Sequence, residues 1–143
     1  EELLPALRAA LRERPWRAVC ILAGSNDAVL AGESAATILE RIARLHEACD
    51  TAGVPVVALT LPDCDTEYHG MVAPSAQAER RQVLAEVADG LLSSCHLQQR
   101  AVVDLRTALP LSAAMFDDCM HPSPEGSDHI ADAVYTAIHR YGL

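Results

Sequence analysis

Aromatic residues make up only 3% of this 143-residue chain. Its core must therefore be aliphatic, built from the abundant Ala, Leu and Val. Positive charge is also scarce. Eleven Lys and Arg stand against 20 Asp and Glu, for a net charge of −9. That balance argues against a nucleic-acid partner, because phosphate binding needs clustered cations. No apolar run approaches the ~20 residues needed to span a bilayer, so no membrane span is expected. No signal-peptide pattern is visible either. The five cysteines are Cys20, Cys49, Cys64, Cys95 and Cys119, and no two form a C-x-x-C pair. Their scatter and odd number argue against a disulfide framework or a structural zinc site. Free thiols in a reducing, cytoplasmic compartment are the default reading. The sequence starts at Glu1 without an initiator Met, and is expected to be a piece of a longer one.

What is present fits one domain, residues 1–143, long enough to bury a core. The clearest stretch is Val19-Cys20-Ile21-Leu22-Ala23-Gly24-Ser25-Asn26-Asp27. A continuous apolar run that stops at turn residues reads as a strand buried on both faces. Two similar runs follow, so strands are expected over 17–23, 54–61 and 101–105. Helices are expected over 2–13, 33–52, 75–94 and 124–139, from apolar residues at i, i+3/i+4, i+7 spacing. Gly53 is placed to cap the second helix. Ser75 and Ser123 are placed to start the third and fourth, with Pro124 at the first helical position of the last. Irregular loops occupy 62–74 and 106–122. Strictly alternating helices and strands imply an α/β fold, a parallel sheet in a three-layer α/β/α, flavodoxin-like arrangement.

In such sheets, ligands bind outside the carboxyl ends of the strands. Ser25, Asn26 and Asp27 sit at one such end. Read alone, they are a structural turn followed by a helix cap. The loop after the last strand carries Asp117-Asp118-Cys119-Met120-His121-Pro122. A carboxylate three residues before a histidine can turn back to hold one ring N–H and leave the other nitrogen as a base. That is the orienter-and-base half of a nucleophilic triad. The bland alternative is a polar surface loop.

Together, Gly24-Ser25-Asn26-Asp27 and Asp118-Cys119-Met120-His121-Pro122 resemble two blocks of the SGNH hydrolases, also called GDSL esterases and lipases. The resemblance implies the SGNH hydrolase fold with its N-terminal strands missing. It implies hydrolysis of carboxylic esters through a serine acyl-enzyme, with a small-molecule ester as substrate and no metal or organic cofactor. It makes Asn26 the oxyanion-hole donor, His121 the general base and Asp118 its orienter. Gly24, Asp27 and Pro122 would be structural supports. Tyr68, His69 and Met71 would line the substrate pocket.

The family's nucleophile lies in a Gly-Asp-Ser block, and a separate glycine supplies another oxyanion donor. Neither is found here, nor is a Gly-x-Ser-x-Gly elbow. Ser34 opens a helix, Ser25 fills a variable position and Ser127 falls within the last helix. Cys119 occupies a spacer position. The resemblance thus covers roughly the C-terminal two-thirds of a family domain, and the nucleophile is expected outside this chain. The alternative is a non-catalytic binding module with the same fold. A phosphate or nucleotide binder would want a glycine-rich strand-to-helix turn, and none is present. Asp63, Cys64, Asp65, Glu67 and His69 read as a solvated acidic loop. His46, His96, His129 and His139 read as solvated helix-surface residues. Oligomeric state is left open.

Overall fold

Strand β2, Val56–Leu59, shows why the sheet forms where it does. Its side chains alternate between two cores. Val56 and Ala58 join one apolar cluster, Val57 and Leu59 another, and all four are buried. A strand buried on both faces cannot show polar alternation, so it reads as an uninterrupted apolar run. A computed structural model describes residues 3–67, 70–118 and 120–143. Helix α1 (Leu3–Glu13) leads into β1 (Val19–Ile21). A π-helical turn, Asp27–Ala31, then precedes α2 (Ala35–Thr51). After β2 come α3 (Gln77–Leu97), β3 (Ala101–Val103), the short α4 (Leu105–Ala108) and α5 (Pro124–Tyr141).

The strands lie in the order β1-β2-β3 and both pairings are parallel. Their carboxyl ends therefore share one edge. Leu4, Leu7 and Leu11 of α1, the stripe of α2 and that of α3 pack on one face of the sheet with Ile21, Val56 and Ala58. On the other face, Val134 and Ala137 of α5 pack on Val57, Leu59, Ala101 and Val103. This is the expected α/β/α layering.

The first strand departs from its expected burial. Val19 and Ile21 face the α1–α2 core, but Cys20 is exposed and Leu22 is 43% exposed. The cause is topological. Among the described residues β1 ends the strand order, and the α5 cluster includes residues of β2 and β3 but none of β1. The strands are also shorter than the apolar runs, because flanking residues such as Leu61 stay buried without joining a ladder.

Local signals at the helix ends mostly hold. Ser123 caps α5, accepting from the Gly126 amide at 3.0 Å, with Pro124 first in the helix. Gly53 takes φ +68° just past α2, and its amide donates to Asp50. Helix α2 begins at Ala35 rather than at 33, because Ser34 caps it by accepting from the Thr37 amide at 3.2 Å. Ser75 does not cap α3, which starts at Gln77 after Ala76 and has no side-chain cap. Among the described residues, no helix is long and apolar enough to cross a membrane.

Candidate active site

The loop after α4 is tied down before it presents any chemistry. Leu109, Met115 and Phe116 bury themselves against Ile130 of α5. Phe116 and Pro122 then form an isolated antiparallel bridge, with the Asp117 amide donating to the His121 carbonyl at 3.0 Å. Pro122 thus closes the loop. The Ser123 amide donates to the Met115 carbonyl at 2.9 Å, and the Ser123 hydroxyl donates to Ala114. Gly126 lies so close to the Met115 carbonyl that a Cβ there would overlap it. The short segment 117–121 is therefore held at both ends.

Within that segment Asp118 organises everything. Its Oδ1 accepts from the Met120 and His121 amides, each at 2.7 Å. Its Oδ2 lies 2.6 Å from His121 Nδ1. The His121 contact, followed by those amide bonds, holds the Asp118 carboxyl down at about 2. The carboxylate is then ionised at neutral pH and can only accept, so Nδ1 is assigned the proton. Among the described residues Nε2 then has no hydrogen-bond partner, and the side chain is 73% exposed. An imidazole so held can take a proton at Nε2. Cys119, a spacer residue between Asp118 and His121, lies outside the described residues.

The β1 end is built differently. Gly24 has φ +109°, and a Cβ there would sit 2.6 Å from Ile38 Cγ2. Only glycine lets the chain turn so tightly over α2. The Ala28 amide then donates to the Gly24 carbonyl at 2.9 Å, so 24–28 closes as a helical turn rather than an open loop. Asn26 lies on this turn with φ −65° and ψ −37°, exposed, and its side chain makes no capping bond. Beside it, Asp27 Oδ1 accepts from Arg41 Nη1 at 2.7 Å. Arg41 Nη2 also reaches Glu33 Oε1 at 3.1 Å. The bond to Glu33 is the leading cause holding the Arg41 guanidinium above its usual pKa. One side chain from α2 thus straps both ends of the Asp27–Glu33 excursion. The sequence carried no signal for Arg41, which is one of several arginines on exposed helical faces.

A second support lies beneath the same sheet edge. Thr60, fully buried just after β2, accepts from the Leu105 amide at 2.9 Å and donates to Asp104 Oδ1 at 3.0 Å. Asp104 also receives Arg106 Nε at 3.1 Å, and Arg106 reaches Asp89 at 2.8 Å. Burial pushes the Asp104 carboxyl up, but bonds from Arg106 and Thr60 outweigh it and leave it below its usual value. This network joins the ends of β2 and β3 and braces the start of the loop that carries Asp118.

Other expectations divide. Tyr68 and His69 lie outside the described residues, and Met71 is 41% exposed. The acidic loop is not solvated throughout. Cys64 and Thr66 are buried, and the Thr66 hydroxyl accepts from Arg81 at 2.7 Å. Among the described residues, no group of three or more His, Cys, Asp or Glu is placed to hold a metal ion. His46 is not solvated but buried on the inner side of α2, with Nε2 unpartnered. Desolvation, reinforced by Arg100, lowers its pKa to about 4. Its i+3 partner Cys49 is equally buried, so this face of α2 belongs to the core. Ser34 spends its hydroxyl on the α2 cap and a 2.9 Å contact with Thr37 Oγ1.

With this geometry in hand, comparison with known proteins is direct. Residues 1–129 match the family model for the GDSL-like Lipase/Acylhydrolase family. No curated protein matches the chain. Solved structures do match. A GDSL-like lipase from Bacteroides thetaiotaomicron shares 17% identity with a TM-score of 0.78, over 96% of this chain and 69% of that one. A member of the lipolytic G-D-S-L family from Veillonella parvula shares 17% at a TM-score of 0.77, over 96% and 73%. A psychrotrophic esterase from Pseudoalteromonas shares 16% at 0.69, over 97% and 70%. At these identities the structural likeness speaks for the fold.

Proposed function

This chain belongs to the GDSL-like lipase and acylhydrolase family, and from that premise we propose that it carries the base and oxyanion-donor half of a serine esterase site. Asn26 donates its side-chain amide to the oxyanion. His121 takes the proton from the nucleophilic serine through Nε2 and returns it to the leaving alcohol. Asp118 orients the ring. The serine and a second oxyanion donor come from polypeptide outside residues 1–143. Residues 1–143 act as one partial domain, and the substrate is a small carboxylic ester.

The observation that carries this reading is the Asp118–His121 pair, with Nδ1 held at 2.6 Å and Nε2 left open. The chemistry asks for that order: a carboxylate fixing the tautomer and a base facing outward. Among the described residues, no serine hydroxyl is bonded to His121. That favours a nucleophile supplied from elsewhere, and it is also what a non-catalytic binding module of the same fold would show.

One experiment separates the two. The 143-residue chain is expected to hydrolyse p-nitrophenyl butyrate no faster than its His121→Ala variant. Extended by the upstream coding sequence, it is expected to gain turnover that His121→Ala abolishes. An upstream sequence without a serine just past a strand, or an extended chain without turnover, would leave the binding-module reading. Robust turnover by the 143-residue chain itself would mean that it holds its own nucleophile.

A further inference from the structure

Along α3 the buried residues Leu84, Val87, Ala88, Leu91 and Cys95 keep a helical stripe. One turn before Leu84 the stripe is continued by Arg80, since residues four apart share a helix face. A cation in line with an apolar stripe needs a reason, and the structure supplies one. Leu84 packs in the core with Ala28 and Val29, the inner side of the turn that follows Asn26. Arg80, partly buried, reaches past them to Gly32 at the end of that turn. A Cβ on Gly32, which has φ +70°, would overlap the Arg80 guanidinium at Cζ and both Nη atoms. The guanidinium therefore meets the glycine as a plane rather than through its tip. The Gly32 amide donates to the Asp27 carbonyl, and the Glu33 amide does so at 2.9 Å. Asp27 is the residue next to Asn26. A short path of packing and hydrogen bonds thus runs from Arg80 through Gly32 and Asp27 to Asn26.

We propose that Arg80 is a positioning residue for Asn26: its guanidinium clamps the end of the Asp27–Ala31 turn and so fixes where the Asn26 side-chain amide is presented. The last carbonyls of a helical turn have no partner within it, and a cation set against them is favourable. Arg41 of α2 holds the same excursion through Asp27 and Glu33. The turn is thus gripped by α2 and by α3 together. The placement of Asn26 does not depend on the esterase reading, but its consequence for catalysis rests on it.

Hydrogen exchange and NMR on the 143-residue chain test the placement. Arg80→Met keeps an unbranched side chain and removes the cation and its plane. It is expected to speed exchange at the Glu33 amide about tenfold and to shift the Asn26 side-chain amide, with the Met120 and His121 amides unmoved. Arg80→Lys keeps the charge without the plane and is expected to restore these signals only in part. In the upstream-extended chain, Arg80→Met is expected to lower kcat about tenfold with little change in KM. In an Asn26→Ala background it is expected to cost nothing further, because residues that act through one group are not additive. Unchanged Glu33 exchange with an unmoved Asn26 amide would overturn the proposal. So would full additivity with Asn26→Ala, the result if Arg80 contacts the substrate itself. An extended chain without turnover would defeat the esterase reading alone, and the exchange result would still decide on Arg80.

Discussion

Asp118 and His121 are joined twice: once through the ring, at 2.6 Å from Nδ1, and once through the backbone, where the His121 amide donates to the other carboxylate oxygen at 2.7 Å. The residue that orients the imidazole therefore also shapes the turn that carries it. Asp118→Asn separates these jobs. An asparagine oxygen can still accept from the amides, but its other terminus donates and cannot accept from Nδ1. The expected outcome is a shift of His121 toward the Nε2-protonated tautomer, read from its ring nitrogen shifts, with the loop amides little moved.

The same carboxylate sets an acid limit. Its pKa is depressed to about 2, from an ordinary value near 3.8. A depressed carboxylate contributes stability that is present above its unfolded pKa and lost as pH falls through the folded one. The 117–121 turn is thus expected to hold at pH 4 and loosen toward pH 2. Amide exchange at Met120 and His121, compared between these pH values, would show it, and unchanged protection at pH 2 would contradict it.

His46 points to a second pH effect with its own cause. Its folded pKa is near 4 and its ordinary value 6.5, so the unfolded chain takes up a proton first as pH falls. Stability is then expected to drop between about pH 6.5 and pH 4, by at most about 3 kcal/mol for such a shift. His46→Leu removes both the titration and the unpartnered Nε2. Urea melts across this range should show a flatter acid limb in the variant, and parallel limbs would rule the effect out.

Arg41 offers a test of positioning without much loss of stability. The side chains of Arg41, Asp27 and Glu33 are each 35–38% exposed, and exposed ion pairs contribute about 1 kcal/mol or less. Arg41→Met should therefore melt close to wild type while shifting the amides of residues 26–33. Lysine is a point charge that cannot bridge two carboxylates as a fork, so Arg41→Lys should restore the signals only in part. Under the proposed esterase reading, Asn26→Ala in the upstream-extended chain is expected to lower kcat by about 10²–10³, the typical effect of losing one oxyanion donor; an unchanged kcat would remove Asn26 from the site.

Gly24→Ala should be severe. It places a Cβ 2.6 Å from Ile38 at φ +109°, and left-handed strain with overpacking together cost about 2–4 kcal/mol. A thermal melt within a degree of wild type would refute the tight turn.

The chain's one-dimensional patterns carried the layers and the site motifs. Apolar runs of strand length marked β1, β2 and β3, and 3.6-residue stripes marked the long helices, because burial periodicity is local. The Asp118 and His121 contact was equally legible, since three residues of spacing suffice to close it. What tertiary structure decided involves partners distant in sequence or coverage by another element. Arg41 meets Asp27 across 14 residues, and Thr60 meets Asp104 across 44. Neither distance leaves a periodic trace. His46 and Cys20 exchanged their expected environments for the same reason. Whether a side chain is buried depends on which element lies over it, and α3 shares the core with α2 while α5 stops short of β1.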